Sequence, residues 1–175
     1  MKDGYEIGHT ELTDLPVIFQ LFDESIIYQE KRGYPVWRNY DKSVIVRDIE
    51  SRRQYKIVNA GVVQIVFSVS YNDPEIWRER ETGDSVYLHR IVVNPQAKGQ
   101  KLFGLIVDWA LNHINQKGLR NLRMDTWARN PALIDYYRKF GFEAVENYTT
   151  PDVDALPIHN RNLSLTLLEY RRGFE

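Results

Sequence analysis

The chain has 175 residues, 43% hydrophobic and 27% charged, enough apolar sequence to enclose a core and to read as a single domain over residues 1–175. Its 23 Lys and Arg against 24 Asp and Glu give a net charge of −1, which removes any global electrostatic reason to bind nucleic acid or an anionic membrane and leaves only a local anion site. Cysteine is absent, excluding disulfides, thiolate metal sites and a cysteine nucleophile; with no apolar signal core in MKDGYEIGHT and no run near the roughly 18 apolar residues of a membrane span, a cytoplasmic protein is predicted.

Tyr5–Thr10 reads as a short strand. From about Leu12 to Lys31 the residues Leu15, Ile18, Phe19, Phe22, Ile26 and Ile27 recur at helical steps, with Pro16 in the first turn and Gly33 at the stop. The aromatic loop GYPVWRNYDKS follows, then an amphipathic helix around Val44–Arg53. QYKIVNAGVVQIVFSVSYND gives two β-branched runs around Asn59-Ala60-Gly61, a hairpin of antiparallel strands. IWRERETGD reads as a connection, and SVYLHRIVVNP as a strand whose run Ile91, Val92, Val93 predicts burial on both faces.

After Pro95 the period changes. Leu102, Leu105, Ile106, Trp109, Ala110 and Ile114 make one helical stripe, ended by Lys117-Gly118. LRNLRMDTW returns to strand, so Val86–Trp127 predicts a strand, helix, strand crossover with its strands parallel. Asn130-Pro131 supplies an N-cap and a pre-set first turn for a short helix carrying Leu133, Tyr136, Tyr137 and Phe140, with Gly141 at its stop. FEAVENY and RNLSLTLLEY give the last strands. The predicted fold class is α/β of the mixed α+β kind: a mixed sheet flanked by helices, with one parallel pair near its middle.

The stretch VVNPQAKGQKLFG, Val92–Gly104, feeds a strand into a helix through a turn holding one glycine among cations. Such a turn offers backbone N–H groups and the positive end of a helix dipole, the physical requirement for binding phosphate, and Lys98 and Lys101 add charge. The spacing matches neither GxGxxG nor GxxxxGK[ST]. By itself the turn reads first as a solvated connection with two exposed lysines and only second as a ligand site.

The ordered series LHRIVVNPQAKGQK, amphipathic helix, LRMDT and NPALIDYYRKFGF resembles the GNAT N-acetyltransferase superfamily over about Tyr87–Val145. The family's loop is written [QR]xxGx[GA]. Gln96 and Gly99 fall on its first two defined positions, Lys101 departs from the third, and Phe103 stands where a further small residue is common. The resemblance implies a mostly antiparallel sheet whose central parallel pair splays, acetyl-CoA as acetyl donor, and no metal. It places the cofactor against Ile91, Val92, Val93, Gln96, Lys98, Gly99, Gln100, Lys101, Leu102, Asn130 and Tyr137. Lys101 either reaches a phosphate or is merely tolerated.

Direct acetyl transfer to an amine needs a neutral amine, an oxyanion donor and a proton for the leaving thiolate. Tyr137 stands at the position of the family's YxxxGF pattern that carries the general acid; a phenol with a pKa of about 10 can protonate a thiolate whose conjugate acid is near 8.5. His89, with an ordinary pKa near 6.5, is the candidate base, with Asp84 and Asp125 as alternatives; Asp125 is also a candidate to hold the acceptor's ammonium. The N–H of Ile91 or Val93 is the natural oxyanion donor. Acceptor contacts are expected from Tyr34, Trp37 and Tyr40 and from TTPDVDALPIHN with Asp152 and Asp154, although Trp37 reads equally as packing.

The reading is an acetyl-CoA-dependent N-acetyltransferase. Its expected partner is a small-molecule amine, a homodimer being compatible, with neither nucleic acid nor membrane. The alternatives are a protein or peptide amine as acceptor, and a CoA-binding sensor or inactive relative.

Overall fold

The computed structural model describes residues 4–37, 40–154, 156 and 160–171. Its strands are β1 (Tyr5–His9), β2 (Gln54–Asn59), β3 (Val62–Ser70), β4 (Ser85–Val93), β5 (Asn121–Trp127), β6 (Phe142–Thr149) and β7 (Ser164–Tyr170). Its helices are α1 (Leu15–Lys31), α2 (Lys42–Glu50), α3 (Pro74–Trp77), α4 (Phe103–Lys117) and α5 (Pro131–Arg138). The sheet order is β1-β2-β3-β4-β5-β7-β6, mostly antiparallel with β4 and β5 parallel. These elements fall into two compact units, Met1–Val69 with His89–Ile106 and Ser70–Leu88 with Val107–Glu175. Among the described residues no helix is long and apolar enough to cross a membrane.

In the first unit β1 pairs antiparallel with β2, and β2 with β3. Ala60 and Gly61 turn the hairpin at φ 48° and 77°, the pair of left-handed residues that a two-residue loop needs to match strand twist. The α1 C-terminus closes with Gly33 N–H on the Glu30 carbonyl and Tyr34 N–H on that of Gln29, a Schellman arrangement. Asp41 Oδ1 caps α2 by accepting from Ser43 N–H at 2.8 Å. This helix stops at Glu50, short of the predicted Arg53, because Arg52 turns left-handed at φ 54°. Ile18, Leu21, Phe22, Ile45, Ile49, Val66 and Val92 form the core of this unit, each such side chain contributing about 1.5–3 kcal/mol of burial.

The expected two-face burial of Ile91–Val93 is only partly realised: Val92 is buried, whereas Ile91 and Val93 stay half-buried. The cause is Arg90, left-handed at φ 49° inside the strand, which interrupts the pleat in the manner of a bulge. Its guanidinium is anchored on Asp48 Oδ2 of α2, Nη2 at 2.5 Å and Nε at 3.1 Å.

In the second unit the register of β4 on β5 runs from Ser85↔Asn121 to Leu88↔Met124, and β7 pairs antiparallel with both β5 and β6. The segment expected to be a plain connection folds into α3 and a 3₁₀ turn, Arg78–Arg80. Pro74 starts α3 at a position whose N–H needs no partner, and Trp77 ends it fully buried against Ile76, Tyr87, Leu165 and Leu167. Asn130 caps α5 as expected, its Oδ1 accepting from Leu133 N–H at 3.1 Å.

Candidate active site

The turn after β4 is set first by Asn94. Its N–H and its Nδ2 donate to the carbonyls of Gln64 and Val63, and its Oδ1 accepts from Gln96 N–H, starting a 3₁₀ turn over Pro95–Ala97. The chain then passes through Gly99 at φ 84° and Lys101 at φ 55° before α4. A Cβ on Gly99 would meet no atom within 4 Å, so backbone conformation, not crowding, calls for glycine. Lys101 adopts the same left-handed region at a cost of about 1 kcal/mol. Among the described residues no backbone carbonyl accepts from the N–H groups of Gly99, Lys101 or Leu102. A run of such donors beside a helix start is what an anion needs.

The side chains of the turn are disposed unequally. Lys98 Nζ sits over the Tyr28 ring at 2.8 Å from its centroid, beside Arg32, which lies over the same ring; burial and then Arg32 push the Lys98 pKa down. Gln100 Oε1 accepts from the Tyr5 hydroxyl at 2.8 Å, and Gln96, Lys98, Gln100 and Lys101 are all exposed. Leu102 and Phe103 are both buried, so Phe103 serves as core where the family commonly has a small residue.

In the second unit Tyr137 is 8% exposed, with its ring edge-on to Tyr136 and Phe142. Burial, then Tyr136 and Asp125, hold its phenol well above the ordinary value, so it carries its proton throughout the neutral range. Asp125, on β5, is half-buried and stands within 4.8 Å, oxygen to oxygen, of a second carboxyl, Asp73. Burial, followed by the charge of Asp125, pushes the Asp73 pKa up to about 7; Glu75 and Glu81 act in the same sense and the Ile76 N–H against it. In the sequence Asp73 reads only as the residue before a proline.

The other candidates are placed as follows. His89 lies on β4 one residue before the left-handed Arg90; burial and then the Arg90 charge push its pKa down to about 3, so the ordinary value of 6.5 does not hold in the fold. Asp84 Oδ1 accepts from the Thr82 hydroxyl and the Asn121 amide, and its carbonyl accepts from Arg120 and Asn121 N–H, which ties it to the start of β5. Asn130 is buried at its cap. Trp37 and Tyr40 pack on Phe22 of α1, with Tyr40 donating to Asp23, and Tyr34 follows the α1 stop half-buried. Asp152 and Asp154 face Arg161 at 3.8 and 3.2 Å. Residues 38, 39, 155 and 157–159, in the two loops expected to contact the acceptor, lie outside the described residues.

A mixed sheet whose parallel strand enters a glycine turn and a helix is the arrangement that the sequence resemblance implies. The chain belongs to the acetyltransferase (GNAT) family, whose model matches residues 24–142. It is 32% identical over 151 residues to YesJ of Bacillus subtilis (strain 168), described as an uncharacterized N-acetyltransferase, covering 82% of this chain and 84% of that one. Its fold is similar to that of a GNAT-family acetyltransferase from Streptococcus agalactiae 2603, with a TM-score of 0.75, 16% identity and 98% of each chain covered. It is also similar to that of spermidine N-acetyltransferase from Vibrio cholerae, solved in complex with CoA and spermine, with a TM-score of 0.65, 14% identity, and 96% of this chain and 95% of that one covered.

Proposed function

We propose that this enzyme moves the acetyl group of acetyl-CoA directly to a primary amine of a small molecule. The observation that carries the reading is the turn: Gly99 and Lys101 are left-handed, and the N–H groups of Gly99, Lys101 and Leu102 have no backbone acceptor among the described residues. Those donors suit the pyrophosphate of CoA, with Gln96, Lys98 and Gln100 framing the turn, Ile91, Val92, Val93 and Asn130 along the pantetheine, and no metal required. The kink at Arg90 favours an N–H of Ile91 or Val93 as donor to the thioester carbonyl oxygen. Tyr137 protonates the departing thiolate, a role consistent with a phenol that keeps its proton until the sulfur needs it. Asp125 holds the acceptor's ammonium, and Tyr34 and Trp37 border its approach. The absence of cysteine supports direct transfer and a reducing, cytoplasmic setting.

Thermal unfolding with acetyl-CoA, CoA and ATP tests the cofactor. A ligand at about 100 times its dissociation constant adds roughly 2.7 kcal/mol, so a clear rise in Tm is expected with the two CoA species and not with ATP. Absence of a shift with either CoA species would end the assignment. Thiol release across polyamines, aminoglycosides, amino acids and peptides then separates a small-molecule enzyme from one acting on a peptide amine, and both from a sensor.

A further inference from the structure

We infer that Asp73 is the general base of this transferase, receiving the proton that the acceptor's ammonium must lose. The inference deepens the N-acetyltransferase reading above and rests on it.

The position of Asp73 is fixed from both sides. Its carbonyl accepts from Trp77 N–H at 2.9 Å and its own N–H donates to Glu81 Oε2 at 2.7 Å. Glu81 is itself held by Gly83 N–H at 2.9 Å and by the Tyr87 hydroxyl at 2.8 Å. Both contacts hold the Asp73 backbone, which fixes the point from which the carboxyl projects. The location is informative because of its neighbour. Asp125, whose carboxyl oxygens come within 4.8 Å of those of Asp73, is also the carboxylate whose charge reaches the Tyr137 phenol. Base and acid therefore answer to one shared charge.

The other bases fit less well. His89 is neutral at every physiological pH but, with a pKa near 3, holds an abstracted proton poorly. Asp84 is committed to Thr82 and Asn121. The value of about 7 at Asp73 is matched to a base that must be ionised before transfer and protonated after it. Among the charges that raise it are Asp125 from β5 and Glu75 and Glu81 from its own segment.

An ammonium enters beside the two carboxylates and relieves their repulsion; one N–H bond breaks and its proton passes to Asp73. The nitrogen lone pair forms the C–N bond, the C–S bond breaks, and the thiolate takes the Tyr137 proton. The acylated nitrogen loses its remaining excess proton, which restores the phenol. One proton leaves per turnover, from Asp73.

The test uses the panel amine that releases thiol fastest. In Asp73→Asn, kcat/KM should fall by about 10²-fold or more and lose its acid limb near pH 7, while the Tm rise with acetyl-CoA stays as in the parent. Asp73→Glu, which keeps the carboxylate one methylene displaced, should recover part of the rate and the limb. Retention of the limb in Asp73→Asn, with the acetyl-CoA shift intact, would overturn the assignment of Asp73 alone. Absence of the acetyl-CoA shift in both parent and variant would overturn the transferase reading and this inference with it.

Discussion

The turn after β4 and the group around Asp125 present opposite strategies. The turn offers backbone N–H groups, and its requirement is a conformation, met by Gly99 at φ 84° and, at some cost, by Lys101 at φ 55°. The Asp125 group offers side chains whose proton affinities are displaced by burial and by one another, Asp73 to about 7 and Tyr137 well above its ordinary value. A site made of backbone tolerates a change of side chain that keeps φ, and one made of displaced pKa values does not. On the proposed function, the departure at Lys101 from a small-residue pattern is expected to be less damaging than a single isosteric change at Tyr137.

That contrast is sharpest at Tyr137. Tyr137→Phe keeps the ring contacts and removes the proton; turnover should fall by about 10²-fold or more, roughly 2.7 kcal/mol of barrier, with acetyl-CoA binding unchanged in a Tm shift assay. Unchanged turnover with chemistry rate-limiting would make the residue packing only.

A second comparison sets Asp73 against His89 through the pH dependence of stability. Asp73 has a raised pKa, from 3.8 to about 7, so the folded chain holds a proton the unfolded chain has released, and stability falls as pH rises through that window. His89 has a lowered pKa, from 6.5 to about 3, so the unfolded chain binds the extra proton, and stability falls as pH drops below 6.5. In the parent these slopes oppose each other between about pH 4 and 6.5. Asp73→Asn should then show stability rising with pH across that interval and His89→Gln stability falling, each by up to about 1.4 kcal/mol per pH unit, as read by urea denaturation. Parallel curves for all three proteins would remove both displaced values.

At the turn the effects are smaller. Gly99→Val should cost about 1–2 kcal/mol of stability and weaken acetyl-CoA about tenfold, because a β-branched residue resists positive φ. Lys101→Gly should have the opposite sign, stabilising by about 0.5–1 kcal/mol with acetyl-CoA binding kept. A loss of affinity in Lys101→Gly would show instead that the ammonium grips the phosphate.

The legible parts of the chain were those decided within a few residues. Asn59-Ala60-Gly61, Asn130-Pro131 and the stripe from Leu102 to Ile114 each carry their own signal, and the matching hairpin, cap and helix are present. The α3 segment was hidden because Pro74–Trp77 is too short for a period to show and its proline reads as a break. Asp73 was hidden for a different reason: its value depends on Asp125, brought beside it by the fold from the far end of a crossover. Lys101 carries no sign of left-handed backbone in its identity, and the Tyr28 ring that takes up Lys98 is distant in sequence.

The seat of Lys98 on Tyr28 has a consequence for how the turn responds to ionic strength. A cation already resting on an aromatic face has less of a mobile ion atmosphere to surrender when an anion arrives. The peptide dipoles beside it hold no counterions at all, which leaves the exposed Lys101 as the further charge of the turn. Affinity for the polyanionic donor should therefore decline only gently with added potassium chloride, far less than for a pocket of free lysines, leaving the enzyme loaded across the range of salt a cell experiences.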